Sequence, residues 1–309
     1  MIDPVVVIAY HGSMIRMLAL DRYVDVNGIQ IHYLDWGGDG PICVMFHGAG
    51  MCGGTWEPIA QRLSSRMHCV APDLRSHGES EASTVRVSWN LLANDVAGFV
   101  NALDAEPVII VAHSFGAGAA LLASQLMPDR VAGGYFVEPT LLAQLAQVRE
   151  DRERAKLARQ GVRNKRREFR SHQEMFDAIK GRGGFRFVTD ESLWAYVNHG
   201  TQQRPDGSVE LRCSPEAEAA FFEAQADPSS TWPSLAQITY PITLVYSEAR
   251  YNSTQTWKQH EPIVRRFEEL VQTRFLITPG THNTVMEHPD IHVRMILELV
   301  DQMPSKSGG

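Results

Sequence analysis

Short apolar runs alternate with amphipathic stretches along the chain, and this alternation predicts strands separated by helices. Apolar runs at residues 43–46, 69–71 and 107–111 have the length of buried strands. From Ser88 to Leu103 the apolar residues recur at helical spacing, with Ser88 as the predicted N-cap. Strands that alternate with helices favour a mainly parallel, doubly wound α/β sheet.

A hairpin precedes this region. The alternating segments 22–26 and 29–34 flank Asn27-Gly28, a dipeptide typical of two-residue hairpin turns. Residues 1–20 are interpreted as an N-terminal extension ahead of the sheet.

The strand at 107–111 runs into a serine with small neighbours. Ser114 has Ala112 two residues before it and Gly116 two residues after it. A sharp turn from strand to helix leaves room only for small side chains at those positions, and it raises the serine hydroxyl above the sheet. The pattern favours a nucleophile elbow; the other interpretation is a serine that only caps the helix.

Three more motifs occur in the order along the chain that a serine nucleophile at position 114 would require. A strand at 44–46 ends in His47-Gly48, and residues 70–80 combine a strand with a turn that Asp73 and Arg75 are expected to brace. A late strand at 275–277 is followed by His282 on a loop and then by the last predicted helix.

With these motifs the chain resembles the α/β-hydrolase superfamily over residues 21–140 and 236–304. The resemblance implies Ser114 as the nucleophile and His282 as the general base and then the general acid. A serine hydroxyl needs an adjacent imidazole to take its proton, and the imidazole needs an acid to fix its tautomer.

The resemblance also implies an oxyanion hole made of the backbone amides of Ala49 and Phe115. Gly48 and Gly50 would let this loop turn an amide inward, and both are candidates for the substrate pocket. His113 is a further pocket candidate, for which packing is favoured over catalysis because its side chain is expected to point away from the nucleophile.

The position of the acid that would orient His282 differs from the common pattern of the family. Most members carry it after the strand that corresponds to residues 242–246, where this chain has Arg250. An arginine offers no acceptor and repels an imidazolium. A minority of the family, including some haloalkane dehalogenases, takes the acid from the strand after the nucleophile helix. That strand ends here at Glu138, which is the favoured acid, with Glu248 as the alternative.

Residues 141–235 break the strand-helix pattern and are predicted to form a helical cap inserted into a core of residues 21–140 and 236–309. The cap is expected to open with a helix over 141–170, whose stretch 149–170 holds ten Lys or Arg and four Asp or Glu. A solvated helix face is the favoured explanation, and attraction of an anionic substrate or partner is the alternative. Some of the cap's aromatic side chains are expected to face Ser114 and form an apolar pocket.

Composition narrows the functional classes. A net charge of −7 argues against nucleic acid as a partner. Four cysteines without metal-binding spacing favour buried thiols in a reducing compartment, and a cytoplasmic location is expected because no signal peptide or membrane span is apparent. A monomer or homodimer is expected, with no cofactor and no metal.

Serine at the elbow argues against epoxide hydrolysis and dehalogenation, which use a carboxylate nucleophile. The predicted function is therefore hydrolysis of a small-molecule carboxylic ester, lactone or thioester through an acyl-enzyme. A ligand-binding member of the same fold, a C–C hydrolase and a cofactor-free perhydrolase remain alternatives.

Overall fold

The computed structural model describes residues 7–8, 16–104, 107–140, 160–225 and 238–303. Its strands are β1 Val7–Ile8, β2 Arg16–Met17, β3 Leu20–Val26, β4 Ile29–Gly37, β5 Ile42–Phe46, β6 His68–Pro72, β7 Val108–His113, β8 Val131–Val137, β9 Glu168–Phe169, β10 Thr201–Gln203, β11 Val209–Leu211, β12 Ile242–Ser247 and β13 Thr273–Thr278. Its α-helices are α1 Glu57–Leu63, α2 Trp89–Ala102, α3 Ser114–Ala123, α4 His172–Ile179, α5 Asp190–His199, α6 Pro215–Gln225, α7 Glu248–Tyr251, α8 Thr254–Leu270, α9 Thr284–Glu287 and α10 Pro289–Asp301.

Eight of these strands form one sheet in the order β13-β12-β8-β7-β5-β6-β4-β3. Neighbouring strands are parallel except at β4, which runs antiparallel to both β3 and β6. The predicted hairpin is confirmed, because Val26 pairs with Ile29 and both turn residues, Asn27 and Gly28, have positive φ.

The central strands of the sheet are buried on both faces, which confirms the doubly wound arrangement. Alternate residues of β7 point to opposite sides, so that Ile110 packs with α2 and α3 while Ile109 packs with α1 and α10. The continuous apolar run that predicted this strand arises from this two-sided burial. Because β5, β7, β8, β12 and β13 are parallel, their carboxyl ends meet at one edge of the sheet, where a ligand site is expected.

Residues 160–225 lie between β8 and β12 and contain α4, α5 and α6. They also contain a three-stranded antiparallel sheet in the order β10-β11-β9, which the sequence analysis did not anticipate. The predicted helix over 141–170 is wrong at its end: residues 160–163 are helical, but Glu168–Phe169 forms a strand that pairs with β11. The start of that helix and the proposed cap boundaries at 141 and 235 lie outside the described residues.

The basic stretch within these residues is paired with acidic side chains of the same segment. Arg163 contacts Glu223 at 3.0 Å, and Lys165 contacts Glu218 at 3.1 Å. Further pairs join Arg166 and Arg170 to Glu174, and Arg167 to Glu210. The basic side chains in the described part of the stretch are mostly exposed, so this part is a largely solvated charged face whose members pair with nearby carboxylates.

Candidate active site

Ser114 lies at the junction of β7 and α3, in the left-handed backbone region with φ of 52°. This conformation is costly for a residue with a side chain, and such strain is concentrated at functional sites. A Cβ atom added at Gly116 would overlap the carbonyl oxygen of His47, and Ala112 is fully buried. Close packing therefore explains why both flanking residues are small, as the sequence analysis expected.

His282 lies on the loop between β13 and α9, and its ring faces the serine. Its Nε2 lies 2.9 Å from the Ser114 Oγ, within hydrogen-bond distance. Glu287 stabilises this loop, because its side chain accepts a hydrogen bond of 2.7 Å from the backbone amide of Thr281. An imidazole so placed can accept the hydroxyl proton.

His113 also stabilises the loop that carries His282. Its Nε2 donates to the backbone carbonyl of His282 at 2.8 Å, and the two rings are 4.9 Å apart. The expectation that His113 points away from the site is therefore wrong. Burial, together with the neighbouring His282, lowers the pKa of His113 to about 3, so this ring is a neutral hydrogen-bond donor at ordinary pH.

Glu138 follows the last residue of β8 and has φ of 50°. Its side chain is fully buried, and its Oε2 lies 3.3 Å from His282 Nδ1. Its Oε1 accepts hydrogen bonds from the backbone amide of Ser247 at 2.8 Å and from the Ser247 hydroxyl at 2.7 Å. Burial acts to raise the pKa of Glu138, but the hydrogen bond with His282 and the charge of Arg250 outweigh it and hold the pKa at about 2.

Arg250, on the short helix α7, contacts both members of this pair. Its Nε donates to Glu138 Oε2, and its Nη2 lies 3.2 Å from His282 Nδ1. Glu248, the alternative acid, begins the same helix with its side chain exposed, and no hydrogen bond joins it to His282 within the described residues. The structure thus brings Glu138 to His282 and leaves Glu248 at the surface.

A cavity of about 250 Å³ opens beside the serine. It is lined by Gly48, Ala49, Met51, His113, Ser114, Phe115, Thr140, Phe222, His282 and Asn283. Phe222 belongs to α6, so an aromatic side chain of the inserted segment does face the serine, as expected.

Gly48 and Gly50 differ in their placement. Gly48 allows a close approach, since a Cβ there would lie 3.1 Å from His113 Nδ1 and 3.2 Å from Ser114 Cβ. Gly50, also expected in the pocket, does not line the cavity. Its amide donates to His77 Nε2 at 2.9 Å, and its carbonyl accepts from the Tyr196 hydroxyl at 3.3 Å.

A buried polar network fixes the loop that carries Ala49. His47 accepts from the Leu74 amide at 3.0 Å and donates to the Gly48 carbonyl at 2.8 Å. Asp73 accepts from the Gly53 amide at 2.7 Å and, within its own turn, from the Glu79 amide at 2.9 Å, while Arg75 pairs with Asp95 and donates to the Ser83 hydroxyl at 3.2 Å. The prediction that Asp73 and Arg75 brace their turn is confirmed.

Two residues of the site were missed by the sequence analysis. Thr140 has its hydroxyl 3.4 Å from that of Ser114, and no pattern in the sequence marks it. Ser247 bonds Glu138 and also accepts from the amide of Arg250 at 3.4 Å. A serine directly before a helix start is a capping signal, and it could have drawn attention to Ser247.

Across the residues that the structure describes, no cluster of three or more His, Cys, Asp or Glu side chains could hold a metal ion. Cys43, Cys52, Cys69 and Cys213 are buried free thiols. None of the helices in this part of the chain is long and apolar enough to cross a membrane.

Residues 43–294 match the model of the Alpha/beta hydrolase family. The match covers most of the chain and includes every residue of the serine, histidine and glutamate arrangement. The chain therefore belongs to the α/β-hydrolase family.

Among its relatives is 2-(acetamidomethylene)succinate hydrolase from Mesorhizobium japonicum, 34% identical over 112 residues, which cover 36% of this chain and 40% of that protein. Lipase LipV from Mycobacterium tuberculosis is 32% identical over 126 residues, which cover 40% of this chain and 46% of the lipase. The chain thus spans less than half of the length of these relatives. A solved structure of E-2-(acetamidomethylene)succinate hydrolase aligns over 92% of this chain and 99% of its own, with a TM-score of 0.76 and 23% identity, and it shows the same fold.

Proposed function

We propose that this protein hydrolyses a small carboxylic ester, or a related lactone or thioester, through an acyl-enzyme formed on Ser114. The observation that carries the proposal is the continuous contact from Ser114 Oγ to His282 Nε2 at 2.9 Å and from His282 Nδ1 to Glu138 Oε2 at 3.3 Å. Nucleophile, base and orienting carboxylate follow the arrangement that acyl transfer requires. Membership of a hydrolase family and relatives named as a hydrolase and a lipase support it.

In this mechanism His282 takes the proton of the Ser114 hydroxyl as Oγ attacks the acyl carbon. The tetrahedral oxyanion then accepts hydrogen bonds from the amides of Ala49 and Phe115. Both residues line the cavity beside Ser114, Phe115 in the first turn of α3 and Ala49 on the loop after β5, which Gly48 lets approach the nucleophile. His282 next protonates the leaving alcohol or thiol and then removes a proton from water, which attacks the acyl carbon. As the bond from the acyl carbon to Ser114 Oγ breaks, His282 returns this proton to Oγ and the acid is released.

Glu138 fixes the imidazole with its proton on Nδ1, so that Nε2 is free to accept the serine proton. Its carboxylate is ionised throughout the pH range in which serine hydrolases work, because its pKa is about 2. Its charge also stabilises the imidazolium that forms with the tetrahedral intermediate.

Hydrolysis of p-nitrophenyl acetate and butyrate by the purified protein tests the proposal, with Ser114→Ala as the matched inactive variant. The account predicts turnover by the wild type and a loss of at least about 10³-fold in Ser114→Ala. Equal turnover by both proteins would refute it. Stoichiometric binding of a small molecule without any turnover would favour the ligand-binding alternative.

A further inference from the structure

Thr140 brings a second hydroxyl group to the nucleophile. Its Oγ1 lies 3.4 Å from Ser114 Oγ, and the residue lines the cavity that opens beside the serine. Among the residues that the structure describes, only Thr140 and His282 bring a side-chain polar atom within hydrogen-bond reach of Ser114 Oγ. His282 takes the serine proton in the proposed mechanism, whereas the hydroxyl of Thr140 still lacks a role.

The backbone fixes Thr140 in this position. Its amide donates a hydrogen bond of 3.0 Å to the carbonyl of Ser114, so the main chains of the two residues are joined. Its carbonyl packs against α3, where a Cβ atom at Gly118 would lie only 2.8 Å from the carbonyl oxygen. The glycine therefore lets the chain after β8 pack closely on the helix that begins at the serine.

Thr140 belongs to the same turn as the acid of the candidate triad. Glu138, two residues earlier, has φ of 50°, a strained conformation that is concentrated at functional sites. The turn places the Glu138 carboxylate 3.3 Å from His282 Nδ1 and the Thr140 hydroxyl 3.4 Å from Ser114 Oγ. One turn thus supplies a group to the base and another to the nucleophile.

The direction of the hydrogen bond follows from the tautomer of His282 that catalysis needs. With its proton on Nδ1, the imidazole accepts at Nε2, and the Ser114 hydroxyl donates its single proton there. The serine oxygen then has only lone pairs to offer to its second neighbour. In this state Thr140 donates the hydrogen bond and Ser114 Oγ accepts it.

The serine oxygen carries developing negative charge at two points of the reaction. On attack, its proton passes to His282 Nε2 while a lone pair of Oγ forms the bond to the acyl carbon. When the acyl-enzyme is hydrolysed, the electron pair of that bond returns to Oγ, which takes a proton from Nε2. A hydrogen bond to a charged oxygen is shorter and stronger than one to a neutral oxygen, so we expect the contact of 3.4 Å to shorten at both points.

We propose that Thr140 is a further catalytic residue, whose hydroxyl donates a hydrogen bond to Ser114 Oγ and stabilises the negative charge that this oxygen develops. The proposal rests on the function proposed above, because it needs Ser114 to act as the nucleophile. The proton of Thr140 stays on its own oxygen, so His282 remains the base. The amides of Ala49 and Phe115 act on a different atom, the carbonyl oxygen of the substrate.

The kcat and KM for p-nitrophenyl butyrate test this role in Thr140→Val, Thr140→Ser and a control, Thr273→Val. Valine removes the hydroxyl and keeps the shape of the side chain, whereas serine keeps the hydroxyl. The control removes a hydroxyl that donates to the Phe267 carbonyl at 3.1 Å, at the start of the edge strand β13. We expect kcat to fall about 5- to 100-fold in Thr140→Val, and to stay within about threefold in Thr140→Ser and about twofold in the control, with KM little changed.

A loss of kcat below about fivefold in Thr140→Val would overturn the proposal. A raised KM at unchanged kcat would also overturn it, because Thr140 would then only contact the substrate. A Thr140→Ser variant as slow as Thr140→Val would show that the hydroxyl is not the active group. Should Thr140→Val fail to fold, Thr140→Ala removes the same hydroxyl and is judged by the same limits.

The rate of covalent labelling by a fluorophosphonate separates this proposal from the proposed function, because it reports the reactivity of Ser114 and needs no ester. Labelling should be at least about fivefold slower in Thr140→Val than in the wild type and in Thr140→Ser. Slower labelling in a protein that hydrolyses no ester would uphold the role of Thr140 and refute the ester hydrolase function. Equal labelling rates in a protein that does hydrolyse esters would refute the role of Thr140 alone.

Discussion

Replacing Glu138 by glutamine removes one negative charge from the candidate triad and keeps the shape of the side chain. At a distance of 3.3 Å and an effective dielectric constant of about 20, a carboxylate stabilises a neighbouring imidazolium by about 5 kcal/mol. Arg250 lies 3.2 Å from the same nitrogen and also pairs with Glu138, so its positive charge offsets part of this stabilisation in the wild type. Glutamine would leave the repulsion by Arg250 uncompensated.

Solvent screens part of this interaction, because the His282 side chain is 44% exposed. We therefore expect a loss of about 3 to 5 kcal/mol of transition-state stabilisation, or 10²- to 10⁴-fold in kcat. The double variant Glu138→Gln/Arg250→Met removes both charges and should recover at least about tenfold relative to Glu138→Gln.

The assay is kcat for p-nitrophenyl butyrate at pH 8, with circular dichroism as the check on folding. Glu248→Gln is the matched control, since that carboxylate is exposed at the start of α7, and we expect its kcat to stay within about threefold of the wild type. The reasoning is refuted if Glu248→Gln inactivates the protein while Glu138→Gln retains more than about a tenth of the activity.

Three further predictions concern the surroundings of the site. Gly116→Ala should destabilise the protein by about 1 to 3 kcal/mol in urea unfolding, because the new Cβ would overlap the His47 carbonyl oxygen. The control Gly161→Ala has open space at its Cβ and should be neutral or stabilising. Equal effects of the two substitutions would contradict the packing argument. Ser247→Ala removes a hydrogen bond to Glu138 and the cap of α7. We expect the free energy of unfolding to fall by about 1 to 2 kcal/mol and kcat to fall several-fold. A wild-type kcat would show that this bond does not position the acid. The pKa of Glu138 is lowered from 4.5 to about 2, so its ionisation adds roughly 3 kcal/mol to the free energy of unfolding. This contribution is present above pH 4.5 and is lost as the pH falls toward 2. The difference in unfolding free energy between wild type and Glu138→Gln should therefore narrow between pH 5 and pH 3, and a constant difference would argue against the low pKa.

Strong local signals explain what could be predicted from the sequence. Asn27-Gly28 requires positive φ at both turn positions, so the hairpin and its register follow from two residues. Ala112 and Gly116 are small because the turn at Ser114 is crowded, and this crowding is visible in the sequence as a pattern around one serine.

Other features depend on contacts between distant segments. The strands β9, β10 and β11 have only two or three residues each, too few to show a period, so the small sheet of the inserted segment was missed. The residue type alone shows that an arginine at position 250 cannot orient His282. Its pairing with Glu138, 112 positions earlier in the chain, emerges only when β8 and β12 lie side by side. The orientation of the His113 ring could not be predicted from the sequence, because it depends on a hydrogen bond to the loop that carries His282.

Covalent labelling tests the central claim most directly, because it needs no knowledge of the natural substrate. The protein is treated with a fluorophosphonate, and its intact mass and the modified peptide are determined by mass spectrometry for the wild type, Ser114→Ala and His282→Ala. The account predicts one phosphonyl group per chain, on Ser114, with no addition to Ser114→Ala and labelling at least about 10²-fold slower in His282→Ala. A wild-type protein that stays unlabelled, or one labelled at another residue, would contradict it.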